Sequence, residues 1–199
     1  MPPAPDLHCR LLNASNLAYA ITTSGQWRQI EDVPPEYRDF YERAGFDEDY
    51  NAVMTFVAND ELGKPIHACL IGYTQGELIL AFRGTEGTLI DWLNDARFAP
   101  VSGETEMGGM VHSGFLDALK RLWAVDGNAL PTEINERLNG KAFYITGHSK
   151  GGSLAFLALD VQVFSRLTGF SPVKQLFCSA SGMASVLVVP NPCRPYASP

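Results

Sequence analysis

Residues 141–152, Lys141-Ala142-Phe143-Tyr144-Ile145-Thr146-Gly147-His148-Ser149-Lys150-Gly151-Gly152, constrain this chain more than any other stretch. The first half reads as an apolar strand. The second half turns through Gly147-His148-Ser149-Lys150-Gly151 into a helix with Leu154, Leu157, Ala158 and Val161 at apolar spacing. A serine between two glycines at such a junction suits a sharp, strained turn that exposes its hydroxyl. A side chain at either flanking position would collide with the strand or helix beside it. The bland reading of the same residues is a glycine-rich turn at the start of an ordinary helix.

The chain is 199 residues long, enough for one domain with a real core, and 46% hydrophobic with 19% charged residues. Its formal net charge of −7 and the lack of a basic stripe argue against a nucleic-acid partner. No window is apolar and long enough to cross a bilayer. Met1-Pro2-Pro3-Ala4-Pro5-Asp6 has neither a basic nor an apolar leader segment. The expected location is the cytoplasm, or outside the cell if a leader was removed. Cys9, Cys69, Cys178 and Cys193 are scattered, which favours free or buried thiols over a disulfide framework or a zinc site.

In chain order, residues 1–8 read as a loose tail. A helix is expected from Cys9 through Leu11, Leu12, Leu17, Ala18, Ala20 and Ile21, with Asn13 and Ser15 on its wetter side. Residues 31–50 suggest short surface helices after the Pro34-Pro35 breaker. Strands are expected over residues 66–73 and 77–82, joined as a hairpin by Thr74-Gln75-Gly76. His67 and Cys69 share a face of the first strand; core packing is the expected role, since two ligands do not make a metal site. The second strand ends in Arg83-Gly84-Thr85, and an amphipathic segment with Leu89, Ile90, Trp92 and Leu93 follows. That segment reads either as a lid over an apolar site or as an ordinary crossover. Residues 103–109 form a polar loop. Helical spacing runs over 116–123, breaks at Asp126-Gly127 and resumes over 129–138. The helix after Ser149 is expected to reach Leu167 and close at Thr168-Gly169, and a strand covers residues 173–178. The pattern is α/β, in a single domain over residues 1–199.

Phe82-Arg83-Gly84-Thr85, Asp91-Trp92, His112-Ser113-Gly114-Phe115 and Gly147-His148-Ser149-Lys150-Gly151-Gly152 together resemble the class 3 lipases, the fungal-lipase-like branch of the α/β-hydrolases. The resemblance runs over residues 11–177. It implies an α/β-hydrolase fold and a triacylglycerol lipase or related carboxylesterase that works by acyl transfer to serine. It places Ser149 on the nucleophile, and Thr85 and the backbone N–H of Lys150 on the oxyanion hole. Leu89, Ile90, Trp92 and Leu93 fall on the lid and substrate-binding segment, while His112 and His148 fall on motif histidines with structural roles. The implied partners are a lipid or other ester substrate and a lipid interface. No cofactor and no metal are implied, and the oligomeric state is left open.

One part of the family pattern is not met. On this fold the acid and the base follow the serine in sequence. After Ser149 the 199 residues contain Asp160 and no histidine. Asp160 would stand roughly 15 Å along the helix from the turn, too far to orient a base. The sheet is therefore expected to be incomplete on its C-terminal side, with residues 179–199 an irregular tail from a truncation or frame slip near residue 177. Two alternatives to a working ester hydrolase follow: a catalytically impaired lipid- or acyl-binding remnant, and one part of a split enzyme.

Overall fold

The computed structural model describes residues 6–47, 52–59, 64–85, 100–102, 110–127, 129–138, 141–158, 172–178 and 183–190. Its centre is the pair of strands β4 (Glu77–Phe82) and β7 (Phe143–His148), which run parallel with Leu78 opposite Phe143 and Phe82 opposite Gly147. Both are near-continuous apolar runs, and both are buried along almost their whole length. That is the sequence form of a strand covered on two faces. On one face lie helices α3 (Ser113–Ala124), α4 (Ala129–Leu138) and α5 (Lys150–Ala158), whose Leu119, Leu122, Trp123, Ile134 and Leu154 join Phe82 and Ile145 in one core. On the other face lie α1 (Leu7–Leu17) and α2 (Arg38–Ala44), where Leu11, Leu17 and Tyr41 pack with Ile79 and Ala81. Helices on both sides of the sheet make this the α/β architecture that the sequence implies.

The remaining strands of the main sheet are β1 (Gly25–Trp27), β2 (Val53–Asn59), β3 (Pro65–Thr74), β8 (Pro172–Cys178) and β9 (Met183–Pro190). Their order is β1-β2-β3-β4-β7-β9-β8. The expected hairpin β3–β4 is present. Gln75 and Gly76 both have positive φ, 51° and 76°, the geometry that lets a two-residue turn follow the twist of its strands. A separate short ribbon pairs β5 (Pro100–Ser102) with β6 (Met110–His112).

Four expectations need correction. The first helix starts at Leu7, not Cys9, because the Asp6 side chain accepts the Cys9 N–H at 2.8 Å and caps it. Asn13 and Ser15 are buried rather than wet: each satisfies itself locally, Asn13 Nδ2 on the Cys9 carbonyl and Ser15 Oγ on the Leu12 carbonyl. The sheet also reaches back to β1 and β2, which the sequence reading left unassigned. Finally, the irregular tail expected at residues 179–199 is overturned over Met183–Pro190, which is a strand. It pairs antiparallel with both β7 and β8. β8 is thus parallel to β7 but one position further out, and β9 fills the gap between them. The run Ser185-Val186-Leu187-Val188-Val189 is rich in the β-branched residues that favour such a place. The other tail residues lie outside the described ones, as does the expected end of α5 at Leu167 and Thr168-Gly169.

Candidate active site

The turn after β7 has the strained geometry that its glycines require. Ser149 is a non-glycine residue with φ 55°, between the last strand residue His148 and the first helical residue Lys150. Left-handed backbone costs an ordinary residue about 1 kcal/mol or more. The surroundings hold it in place. A Cβ on Gly147 would lie 2.2 Å from the Gly151 carbonyl carbon and oxygen, and one on Gly151 would lie 2.3 Å from the Phe82 carbonyl oxygen. Strand, turn and helix are therefore in backbone-to-backbone contact that any side chain would pry apart. The Ser149 carbonyl accepts from the Gly152 N–H at 2.9 Å and starts the helix.

The end of β4 is brought against this turn. Two residues past Phe82, a Cβ on Gly84 would stand 2.8 Å from the His148 carbonyl oxygen. The Arg83-Gly84-Thr85 segment thus passes beside His148-Ser149, as the parallel register of β4 and β7 demands. Arg83 is buried and tethers the segment from behind: its N–H donates to the Ala68 carbonyl at 2.9 Å, and its Nη1 to the Ile21 carbonyl at 2.5 Å. The Thr85 hydroxyl is shielded from solvent and meets no hydrogen-bond partner among the described residues. A buried hydroxyl without a partner is costly, and such groups call for an explanation. Lys150 opens α5, where a backbone N–H lies outside the helical ladder.

The histidines have separate fates. His148 Nδ1 lies 2.9 Å from the Tyr19 hydroxyl, so this ring is engaged by the segment after α1. Tyr19 is the site-adjacent residue that sequence reasoning missed. Its position in a three-residue helical turn (Ala18–Ala20) carries no local signal of a contact 129 residues away. His67 and Cys69 are buried in β3, in line with core packing, and no group of three or more potential metal ligands occurs among the described residues. His8 is exposed on α1, and His112 ends β6. Leu89, Ile90, Trp92 and Leu93, expected as lid residues, lie outside the described residues, and so does Asp160.

Residues 79–186, more than half of the chain, match the sequence profile described as Lipase (class 3). The chain belongs to the class 3 lipase family. A lipase of Rhizomucor miehei is 32% identical over 119 residues, which is 58% of this chain and 31% of that protein. Two solved structures share the fold. One is a triacylglycerol lipase whose catalytic centre is a serine-protease triad, with TM-score 0.50, 18% identity, and 78% of this chain and 54% of that one covered. The other is the native Rhizomucor miehei lipase–propeptide complex, with TM-score 0.50, 18% identity, and 80% and 46% covered. This class 3 lipase relative has the α/β-hydrolase fold, and its 199 residues span about half the length of those solved structures or less.

The matched region, residues 79–186, takes in most of β4, all of β7 and α5, and the strand end at Thr85. Chemically, the arrangement offers a hydroxyl on a rigid turn. The strand end at Gly84 passes beside the preceding residue, His148, and Lys150 follows the serine as the first residue of α5.

Proposed function

We propose that Ser149 is the acyl-accepting residue of a carboxylic ester hydrolase that acts on lipid esters. Its hydroxyl attacks the ester carbonyl, and Thr85 and the Lys150 N–H hold the oxyanion. The ester C–O bond then breaks to release the alcohol, which takes up the serine proton, and water frees the acid from the acylated serine. The observation that supports this best is the left-handed Ser149 locked between Gly147 and Gly151, with the Gly84-Thr85 strand end in contact with the residue before it. The amphipathic segment with Leu89, Ile90, Trp92 and Leu93 is the proposed lid and the point of contact with a lipid interface.

A specific observation favours a second reading. A serine hydroxyl is a weak nucleophile until a base takes its proton. No histidine follows Ser149 in these 199 residues, and His148 Nδ1 is bonded to Tyr19. Taken alone, the 199 residues are then an acyl-binding module with an oxyanion hole, or one part of a split enzyme. Such a module keeps roughly 10³–10⁴ of rate over water from that hole and from binding. The test is hydrolysis of p-nitrophenyl esters and fluorophosphonate labelling of the purified chain, each beside Ser149→Ala. Wild-type turnover about 10⁵ or more above the variant supports the hydrolase with its base in reach. A difference under about tenfold, with no labelling, supports the acyl-binding module and overturns catalysis by this chain.

A further inference from the structure

The ladder between β4 and β7 ends where Phe82 stands opposite Gly147, so strand pairing stops short of both Gly84-Thr85 and His148-Ser149. The two strand ends that shape the site are held by other contacts, and one side chain reaches both of them. Tyr19, half-buried in the helical turn after α1, places its hydroxyl 2.9 Å from His148 Nδ1, with the two rings tilted by 58°. The same oxygen would lie 1.9 Å from a Cβ on Gly84, and that Cβ would also stand 2.8 Å from the His148 carbonyl oxygen. Gly84 is thus pressed between Tyr19 and the turn, at a spacing that no side chain fits. The segment that carries Tyr19 is itself anchored. Arg83 Nη1 donates to the Ile21 carbonyl just past it, and the Thr146 hydroxyl on β7 donates to the Leu11 carbonyl of α1 at 3.4 Å. A hydroxyl on an anchored segment can fix the groups that it touches.

We infer that Tyr19 is a positioning residue for the reaction at Ser149. Its hydroxyl clamps the Gly84-Thr85 strand end to the His148-Ser149 turn and so keeps the Thr85 donor in register with the nucleophile. This deepens the preceding proposal and rests on its hydrolase reading. Tyr19 touches the residue before the serine and the residue before the threonine, so it acts through them and not on the substrate. Losing an oxyanion-hole donor outright costs about 10²–10³ in turnover, and a misplacement of about 1 Å can cost on the order of 10². Loosening the clamp leaves the donor present but less well placed, so a loss of about tenfold is expected.

The test compares the intact chain with Tyr19→Phe, which keeps the ring and removes the oxygen. Ile134→Val is the control for a comparable loss of stability, since Ile134 is buried in α4, which contributes no residue to the turn. One readout is fluorophosphonate labelling over a range of probe concentrations, with rates taken per folded chain. The other is amide hydrogen exchange. The Arg83 and Gly152 N–H groups, bonded to the Ala68 and Ser149 carbonyls, report on the site end, and the Leu78 N–H, bonded to the Ala142 carbonyl, reports on the opposite end. Tyr19→Phe should lower the limiting labelling rate about tenfold and leave the half-saturating probe concentration within about twofold. It should speed exchange at Arg83 and Gly152 about fivefold without moving Leu78, as the loss of one local hydrogen bond implies. Ile134→Val should leave the limiting labelling rate within about twofold. Labelling by Tyr19→Phe at the unsubstituted rate, or slowed no more than in Ile134→Val, overturns the inference. Slower labelling with unchanged exchange also overturns it and makes Tyr19 a substrate contact instead. An unsubstituted chain that never labels sinks the hydrolase reading. Exchange alone then decides the clamp, which stands if Arg83 and Gly152 loosen selectively and falls if they do not.

Discussion

The Tyr19 hydroxyl lies 1.9 Å from the point where a Cβ on Gly84 would stand, and 2.9 Å from His148 Nδ1. One oxygen from the N-terminal helical segment thus touches both strand ends that form the site. Gly84→Ala should cost about 2–3 kcal/mol by overpacking, and Tyr19→Phe about 1 kcal/mol by loss of a hydrogen bond. Since Phe removes the oxygen that an alanine would strike, the double variant should be less destabilised than the sum by about 1 kcal/mol or more. Urea unfolding of the four proteins checks this, and strict additivity would show that Tyr19 and Gly84 do not meet.

Ser149→Gly should raise stability while removing any chemistry at the hydroxyl. Glycine takes φ near 55° without the Cβ penalty, so a gain of about 1 kcal/mol is expected at this position. The measurement is the thermal midpoint beside Ser149→Ala. An alanine variant at least as stable as the glycine one would mean that the turn stores no backbone strain.

Arg10 fastens α1 to the turn end of the β3–β4 hairpin. Its Nη1 donates to the Thr74 carbonyl and hydroxyl, each at 3.2 Å, and its Nη2 meets Glu77 at 2.8 Å; Arg10 is nearly buried and Glu77 partly exposed. Arg10→Met should cost about 2–3 kcal/mol, because it leaves acceptors unpaired under the helix. Arg43, which pairs with Asp39 on the surface of α2, is the comparison: both side chains are more than half exposed. Arg43→Met should change stability by less than about 0.5 kcal/mol. Denaturant midpoints of the two variants read the difference directly.

Burial pushes the Cys69 thiol well above its ordinary value of 9.0. The folded chain therefore holds a proton that the unfolded chain gives up near that pH. The stability tied to the neutral thiol is complete below pH 9 and is lost as pH rises, by about 1.4 kcal/mol per unit above that point. Tyr144 is also shifted upward, first by burial and then by the charge and hydrogen bond of Glu77, with Arg10 opposing; it adds to the loss above about its ordinary 10.0. In Cys69→Ala the alkaline decline in unfolding free energy should start near pH 10 instead of pH 9. Identical profiles for the two proteins between pH 8 and 10 would contradict the buried thiol.

The sequence by itself determined the parts whose geometry is set within a few residues. Gly147 and Gly151 around Ser149 dictated a strained turn, Thr74-Gln75-Gly76 a hairpin, of which the structure takes Thr74 into the strand, and the alternation of apolar strands and helices an α/β fold. Each follows from backbone sterics or from side-chain periodicity, which are local. Only the tertiary structure decided which strands became neighbours. β9 took the place beside β7 because a β-branched run can pair there in either direction, and its direction depends on a partner strand and not on its own residues. Tyr19 reached His148 because α1 packs against β4 and β7, and Ser15 was buried for the same reason. A residue's local periodicity states which face it presents, but the element that covers that face is chosen by the burial of the whole chain.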